Sequence, residues 1–190
     1  TRKGGARVRR LFTTNRLDFV DAAGDTVLLL RDVKEPIKLY ETGDFTPERV
    51  FREVYNGQLT FLGSDSIPTS AEVGGKLPFC TYWRRVGRID RYYLTEFTLV
   101  DEHGRAVAQL RRYLCYTFYP VHDWRVGDTV RETYNLVIPT NVKPGSYALC
   151  LRVLEAKGRK LREARPENPE LLKRKGIIRL GRFEVVSPAR

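Results

Sequence analysis

A flat ring presented to water can lie against the apolar face of a sugar while its polar tip bonds the surrounding hydroxyls. Residues 116–124 bring Tyr116, Phe118, Tyr119, His122 and Trp124 into close succession, with Arg112 a few positions upstream. Trp124, Tyr119, His122, Tyr116 and Arg112 are therefore the candidate ligand-binding set, and the chemistry they offer is stacking and hydrogen bonding. The same loop could also be packing filler beneath a sheet edge. Trp83 shares the apolar parity of its own strand and is read as core.

Bond-breaking chemistry has thinner support. Catalysis needs convergent titratable groups around a nucleophile or an acid–base pair. His103 falls in a turn and His122 in a loop, while Cys80, Cys115 and Cys150 fall within strand-like apolar runs. Asp65, Asp101 and Asp128 are scattered, without the alternating acidic loop that wraps calcium. Gly74, Gly75 and Lys76 have no following Ser or Thr and open no helix, so they form a turn and not a phosphate cradle. No catalytic residue, no metal site and no cofactor are expected, and the chain is read as a non-enzyme.

The elements that position these side chains are strands. Period-two alternation punctuated by Gly, Pro, Asp and Asn recurs from residue 57 onward, with no sustained 3.6 period. In residues 129–138, Val130, Tyr134, Leu136 and Ile138 share one face, with Glu132 as the misfit on it. Leu77, Phe79 and Trp83 share a parity, as do Phe97 with Leu99, and Tyr147 with Leu149, Leu151 and Val153. Turns are expected at residues 74–75, 101–104 and 142–145, with a bulge at Gly181. The fold class is all-β: an antiparallel β-sandwich, jelly-roll or immunoglobulin-like, of seven to ten strands with little helix. Residues 1–56 read as an irregular segment with one or two strands packed on the main domain, and residues 57–190 as the sandwich. Thr46 and Pro47 could open a short helix, and residues 169–173 one helical turn.

The chain has 190 residues and a net charge of +11, concentrated at Arg2, Lys3, Arg7, Arg9 and Arg10 and again over residues 157–175. Such patches serve an anionic polymer or lipid surface, or are simply a basic solvated face. Arg and aromatic residues interleave at residues 82–85, 91–93 and 111–113, a combination used for single-stranded nucleic acid. None of the familiar RNA-module motifs accompanies it, so nucleic acid is the weakest partner class. No apolar run approaches the ~20 residues of a membrane helix. Three widely spaced cysteines fit buried thiols, with a single bridge as the alternative. The start, basic and without Met, reads as that of a processed chain or an excised domain.

From Gly57 onward an ordered set of pieces resembles the β-sandwich domain at the C-terminal end of bacterial multi-pass membrane glycosyltransferases related to the dolichyl-phosphate-mannose protein mannosyltransferases. The pieces run through residues 59–63, 74–77, 81–84, 93–109, 124–130, 136–139 and 144–147, with residues 180–186 as a closing strand. The chain departs from that pattern after Gln109, where Leu110, Arg111, Arg112 and Tyr113 replace an Asp and a Pro-rich loop. The resemblance implies a non-catalytic extracytoplasmic module that binds a glycan or a cell-envelope protein. A structural subunit of an extracellular polymer is the alternative, assembling as a homo-oligomer or filament with residues 1–25 as an arm to a neighbour. A cytoplasmic location stays open, because basic residues directly after a membrane helix would favour that side.

Overall fold

Fourteen strands, two 3-10 turns and one short helix make up the computed structural model, which describes residues 8–14, 17–20, 26–30, 37–117, 119–158 and 160–188. The first five strands are β1 (Val8–Thr14), β2 (Leu17–Val20), β3 (Thr26–Leu30), β4 (Ile37–Gly43) and β5 (Arg49–Tyr55). Next come β6 (Leu59–Ser64), β7 (Ser70–Glu72), β8 (Lys76–Arg85), β9 (Tyr92–Val100) and β10 (Ala106–Tyr113). The 3-10 turns Leu114–Thr117 and Val121–Asp123 lead to β11 (Thr129–Val137), β12 (Gly145–Lys157) and β13 (Lys160–Glu163). Helix α1 (Pro169–Lys173) and β14 (Ile178–Val186) close the chain. None of the described helices is long and apolar enough to cross a membrane.

The strands form an all-β sandwich. One sheet has the order β1-β4-β11-β8-β6-β5 and the other β10-β9-β12-β14-β7, with β13 added to β12; β2 and β3 pair separately. Pairing is antiparallel except for β7 on β14. The sheets meet through Phe97 of β9, whose ring lies 4.8 Å from Phe79 of β8 and 4.5 Å from Tyr134 of β11. Leu77, Phe79, Phe97, Leu99, Tyr134, Leu136, Tyr147, Leu149 and Leu151 are all buried, as the period-two reading requires. Trp83 is also core and packs against Phe61.

The turns follow their side chains. Asp101 closes the β9–β10 hairpin by accepting the backbone N–H groups of His103 and Arg105. Gly74 sits at φ 77° before β8. A register shift at Leu149/Cys150 leaves Leu180 as an extra residue beside Gly181, which is the bulge expected in the last strand. Asn168 caps α1 by accepting the Glu170 N–H, with Pro169 in the first turn.

Four expectations are corrected. The count of seven to ten strands is too low, because residues 1–56 hold five and not one or two. β4 and β5 are hydrogen-bonded members of the first sheet, so a boundary at 56/57 falls in the turn of the β5–β6 hairpin. Residues 46–49 form no helix: Arg49 already begins β5, and a Cβ on Gly63 would stand 2.0 Å from the Arg49 carbonyl, so the chain there is extended against β6. Val8–Thr14, within the supposed arm, pairs antiparallel with β4 of its own chain. Arg2, Lys3 and Arg7 lie outside the described residues, and of Arg9 and Arg10 only the backbone is described.

Candidate functional site

Period two sends every second residue of a strand to the opposite face, and the pairing register shows which residues then become neighbours. On β9 the odd residues Tyr93, Thr95, Phe97 and Leu99 face the core, which leaves Tyr92, Leu94 and Glu96 on the outer face. Tyr113 of β10 stands opposite Leu94, and Arg111 stands opposite Glu96 and is bonded to it. Leu94 forms a small apolar cluster with Leu154 and Ala156, and at that end Tyr92 and Tyr113 project into water, 46% and 39% exposed. Their ring centroids lie 6.0 Å apart at 79°.

A third ring arrives from the loop after β10. His122 is exposed and its imidazole lies 5.9 Å from Tyr92 at 80°. Its position is set by neighbours that turn the other way. The Trp124 indole is buried and donates to the Tyr119 carbonyl at 2.8 Å, and the Tyr119 ring stacks on Tyr40 at 5.8 Å. The Arg85 guanidinium donates to the carbonyls of His122 (2.7 Å), Trp124 (2.9 Å) and Gly87 (2.9 Å). The loop is thus pinned from both sides, with two large rings inside and one imidazole outside.

Beside the rings lies a surface cavity of about 180 Å³ lined by Ile89, Asp90, Arg91, Tyr92, His122 and the Ala156–Gly158 turn. Asp90 accepts from Arg91 (2.7 Å), Gln58 (3.0 Å) and Lys157 (3.1 Å). The Arg91 guanidinium is the first of these in holding the Asp90 carboxyl well below the usual carboxylate range, followed by Gln58 and Lys157. Arg91 also donates to Glu155 at 2.9 Å, and Glu155 is joined by Arg162 and Asn56. Burial works to raise Glu155, but these donors outweigh it and the carboxyl is lowered. Tyr93, bonded to Asn56 and Gln58, is pushed up to about 12, chiefly by burial.

Of the five residues expected to bind ligand, the structure places only His122 on this surface. Trp124 and Tyr119 are corrected to core: their rings fill space under the sheet edge and face no solvent-exposed ligand surface. Arg112 is buried between the rings of Tyr134 (3.6 Å) and Tyr116 (4.0 Å), and donates to the Thr133 carbonyl at 2.9 Å. Its carboxylate is Glu132, 3.6 Å away, the apparent misfit on the apolar face of β11. Glu132 also accepts from the Tyr134 hydroxyl and the Cys115 N–H. Burial pushes its carboxyl up against these three partners. Cys115 and Tyr116 both adopt φ 51°, so Cys115 lies in a left-handed turn and not in a strand. Cys80, Cys115 and Cys150 are thiols.

The expected ligand set left out Tyr92, Tyr113, Asp90, Arg91 and Lys157, although Arg91, Tyr92 and Tyr113 belong to the interleaved Arg–aromatic pieces and Lys157 to the basic stretch. A signal for Tyr92 was present, because the inward stripe of Phe97 and Leu99 puts even positions of that strand outside. The interleaved arginines are largely engaged: Arg85 with carbonyls, Arg91 with Asp90 and Glu155, Arg111 with Glu96, Arg112 inside the core. Among the described residues no three His, Cys, Asp or Glu side chains are grouped to hold a metal ion.

No family model and no curated protein matches the chain, so the resemblance to membrane glycosyltransferase domains stands on the sequence motifs alone. Among solved structures the chain is similar to the C-terminal domain of wzt, with TM-score 0.47 and 10% identity over 75% of this chain and 83% of that one. It is similar to a family 123 glycoside hydrolase from Clostridium perfringens, with TM-score 0.36 and 13% identity over 63% of this chain and 22% of that one. For a β-glucosidase from Listeria innocua the values are 0.36 and 13%, over 73% and 17%. The chain spans about a fifth of either hydrolase. Likeness of this degree carries no inference about function.

Proposed function

We propose that the chain is a non-catalytic glycan-binding module of a cell-envelope glycosylation system, working outside the cytoplasm. The observation that carries the binding role is the exposed group Tyr92, Tyr113 and His122 beside a polar-walled cavity. Rings anchored at one end and wet at the other suit sugar faces, and Asp90, Arg91 and Lys157 supply acceptors and donors for hydroxyls. The cavity is smaller than the ~300 Å³ at which enclosed small-molecule pockets begin, which favours a shallow stacking surface. The envelope context and the compartment rest on the sequence resemblance.

The carboxylates support the non-catalytic part. Glycoside hydrolysis requires an acid whose pKa is raised so that it holds a proton for the leaving group. Asp90 and Glu155 are both lowered and surrounded by donors, so neither is poised to give a proton. An array of bacterial surface glycans probed with wild type and Tyr92→Ala tests the reading. Retention of one or more glycans by wild type and its loss in the variant is expected. Sugar release or transfer by the purified chain, abolished by one point substitution, would overturn the non-catalytic assignment.

A further inference from the structure

Two properties of the Tyr92 site limit the kind of glycan it can take. The first is charge. Despite the net charge of +11, the two cations lining the cavity are already matched: Arg91 contacts Asp90 and Glu155, and Lys157 contacts Asp90. An anionic sugar approaching these cations also approaches the Asp90 carboxylate that both already contact, which offsets its attraction to them. A sugar hydroxyl carries no charge to be repelled, and it can accept a remaining N–H of Lys157, whose side chain is largely exposed.

The second property is ring orientation. Tyr113 and His122 are inclined to Tyr92 by 79° and 80°. Rings inclined by such angles cannot lie together on one plane, so a flat polysaccharide face that engages Tyr92 cannot also engage Tyr113 or His122. A single chain whose successive sugars turn about its axis presents faces in different directions and can meet two rings in sequence. Because β10 is the last strand of its sheet, Tyr113 stands at an open edge and the chain can run past it.

We infer that the site takes an uncharged, soluble glycan chain with rotated successive rings, and neither an acidic glycan nor a crystalline polysaccharide surface. This rests on the glycan-binding reading above. Affinity electrophoresis of the full chain in gels cast with xylan, glucomannan or amylose, against gels cast with alginate, tests it together with sedimentation on microcrystalline cellulose. Retardation by a neutral polymer is expected to persist from low salt to roughly 0.5 M salt. Tyr92→Ala is expected to weaken it about tenfold, and Tyr92→Phe to leave it unchanged. Near-UV circular dichroism checks that both variants are folded. Stronger retardation by alginate that fades with salt, preferential sedimentation with cellulose, or neutral-glycan binding indifferent to Tyr92→Ala would each overturn the inference while leaving glycan binding intact. Wild-type indifference to every polymer would also overturn the inference, and glycan binding as such is then decided by the bacterial glycan array.

Discussion

At the scale of single residues, the loop between β10 and β11 separates packing from presentation. Trp124 and Tyr119 have lost nearly all contact with water and support the chain from below, whereas Tyr92 and His122 keep roughly half of their side-chain surface wet. The two kinds of ring therefore have opposite signatures under truncation. Trp124→Ala is expected to cost about 3–5 kcal/mol of unfolding free energy through lost transfer energy and a residual cavity. Tyr92→Ala, at an exposed position, is expected to stay within about 0.5 kcal/mol of wild type. Urea denaturation of both variants checks this, and equal costs would mean that the burial contrast is wrong. The same scale explains Glu132, which a polarity pattern marks as an error. Buried beside Arg112, Tyr134 and the Cys115 N–H, it ties the end of β10 to β11 and steadies two left-handed residues.

At one end of the second sheet, on its core-facing side, charge joins three elements. Glu155 of β12 is directly opposite Arg162 of β13 and is reached by Arg91 at the start of β9, so one carboxylate links three segments. Its pKa is lowered in the folded state, which means that ionised Glu155 is favoured by folding. That stabilisation is fully present above the ordinary carboxylate pKa of ~4.3 and is lost as pH falls through the lowered value. The difference in unfolding free energy between wild type and Glu155→Gln should therefore be constant at neutral pH and shrink on acidification below pH ~4. A difference that grows on acidification would contradict the sign of the shift. Because the β12–β13 turn lines the cavity at Lys157 and Gly158, loosening this link is also expected to weaken ligand retention.

The positive charge is concentrated along the sequence at residues 2–10 and 157–175, and where it lines the cavity it is paired with carboxylates. Basic stretches of this kind attract polyanions without stacking chemistry, and their effect is screened over ~8–10 Å at ordinary salt. Retention on heparin resin is accordingly expected to fall steeply with salt and to be the same for wild type and Tyr92→Ala. A loss of heparin retention in Tyr92→Ala would place polyanion binding at the aromatic site and count against an uncharged ligand. Two sheets whose contacts join distant segments also give the site its rigidity: the rings come from β9, β10 and a pinned loop, each anchored through the shared core.

The sequence alone determined the class of fold, because burial of one face of a strand enforces period two and the inward stripes of β8, β9, β11 and β12 follow from that rule. It also determined the Asp101 hairpin and the α1 turn, where the deciding interactions lie within a few residues, and it marked the bulge of the last strand by its glycine. Strands β1 and β4 were under-read because their partners lie far along the chain, as with β4 on β11, and local pattern carries no record of them. The site was misplaced for a related reason. Ring type says that Trp124 can stack, but whether it stacks on ligand or on its own core depends on Arg85, Tyr40 and Tyr119, which arrive from other elements. Only the tertiary register, setting Tyr113 opposite Leu94 and His122 beside Tyr92, decided which rings face water, since exposure belongs to the packed sheets and not to any one residue.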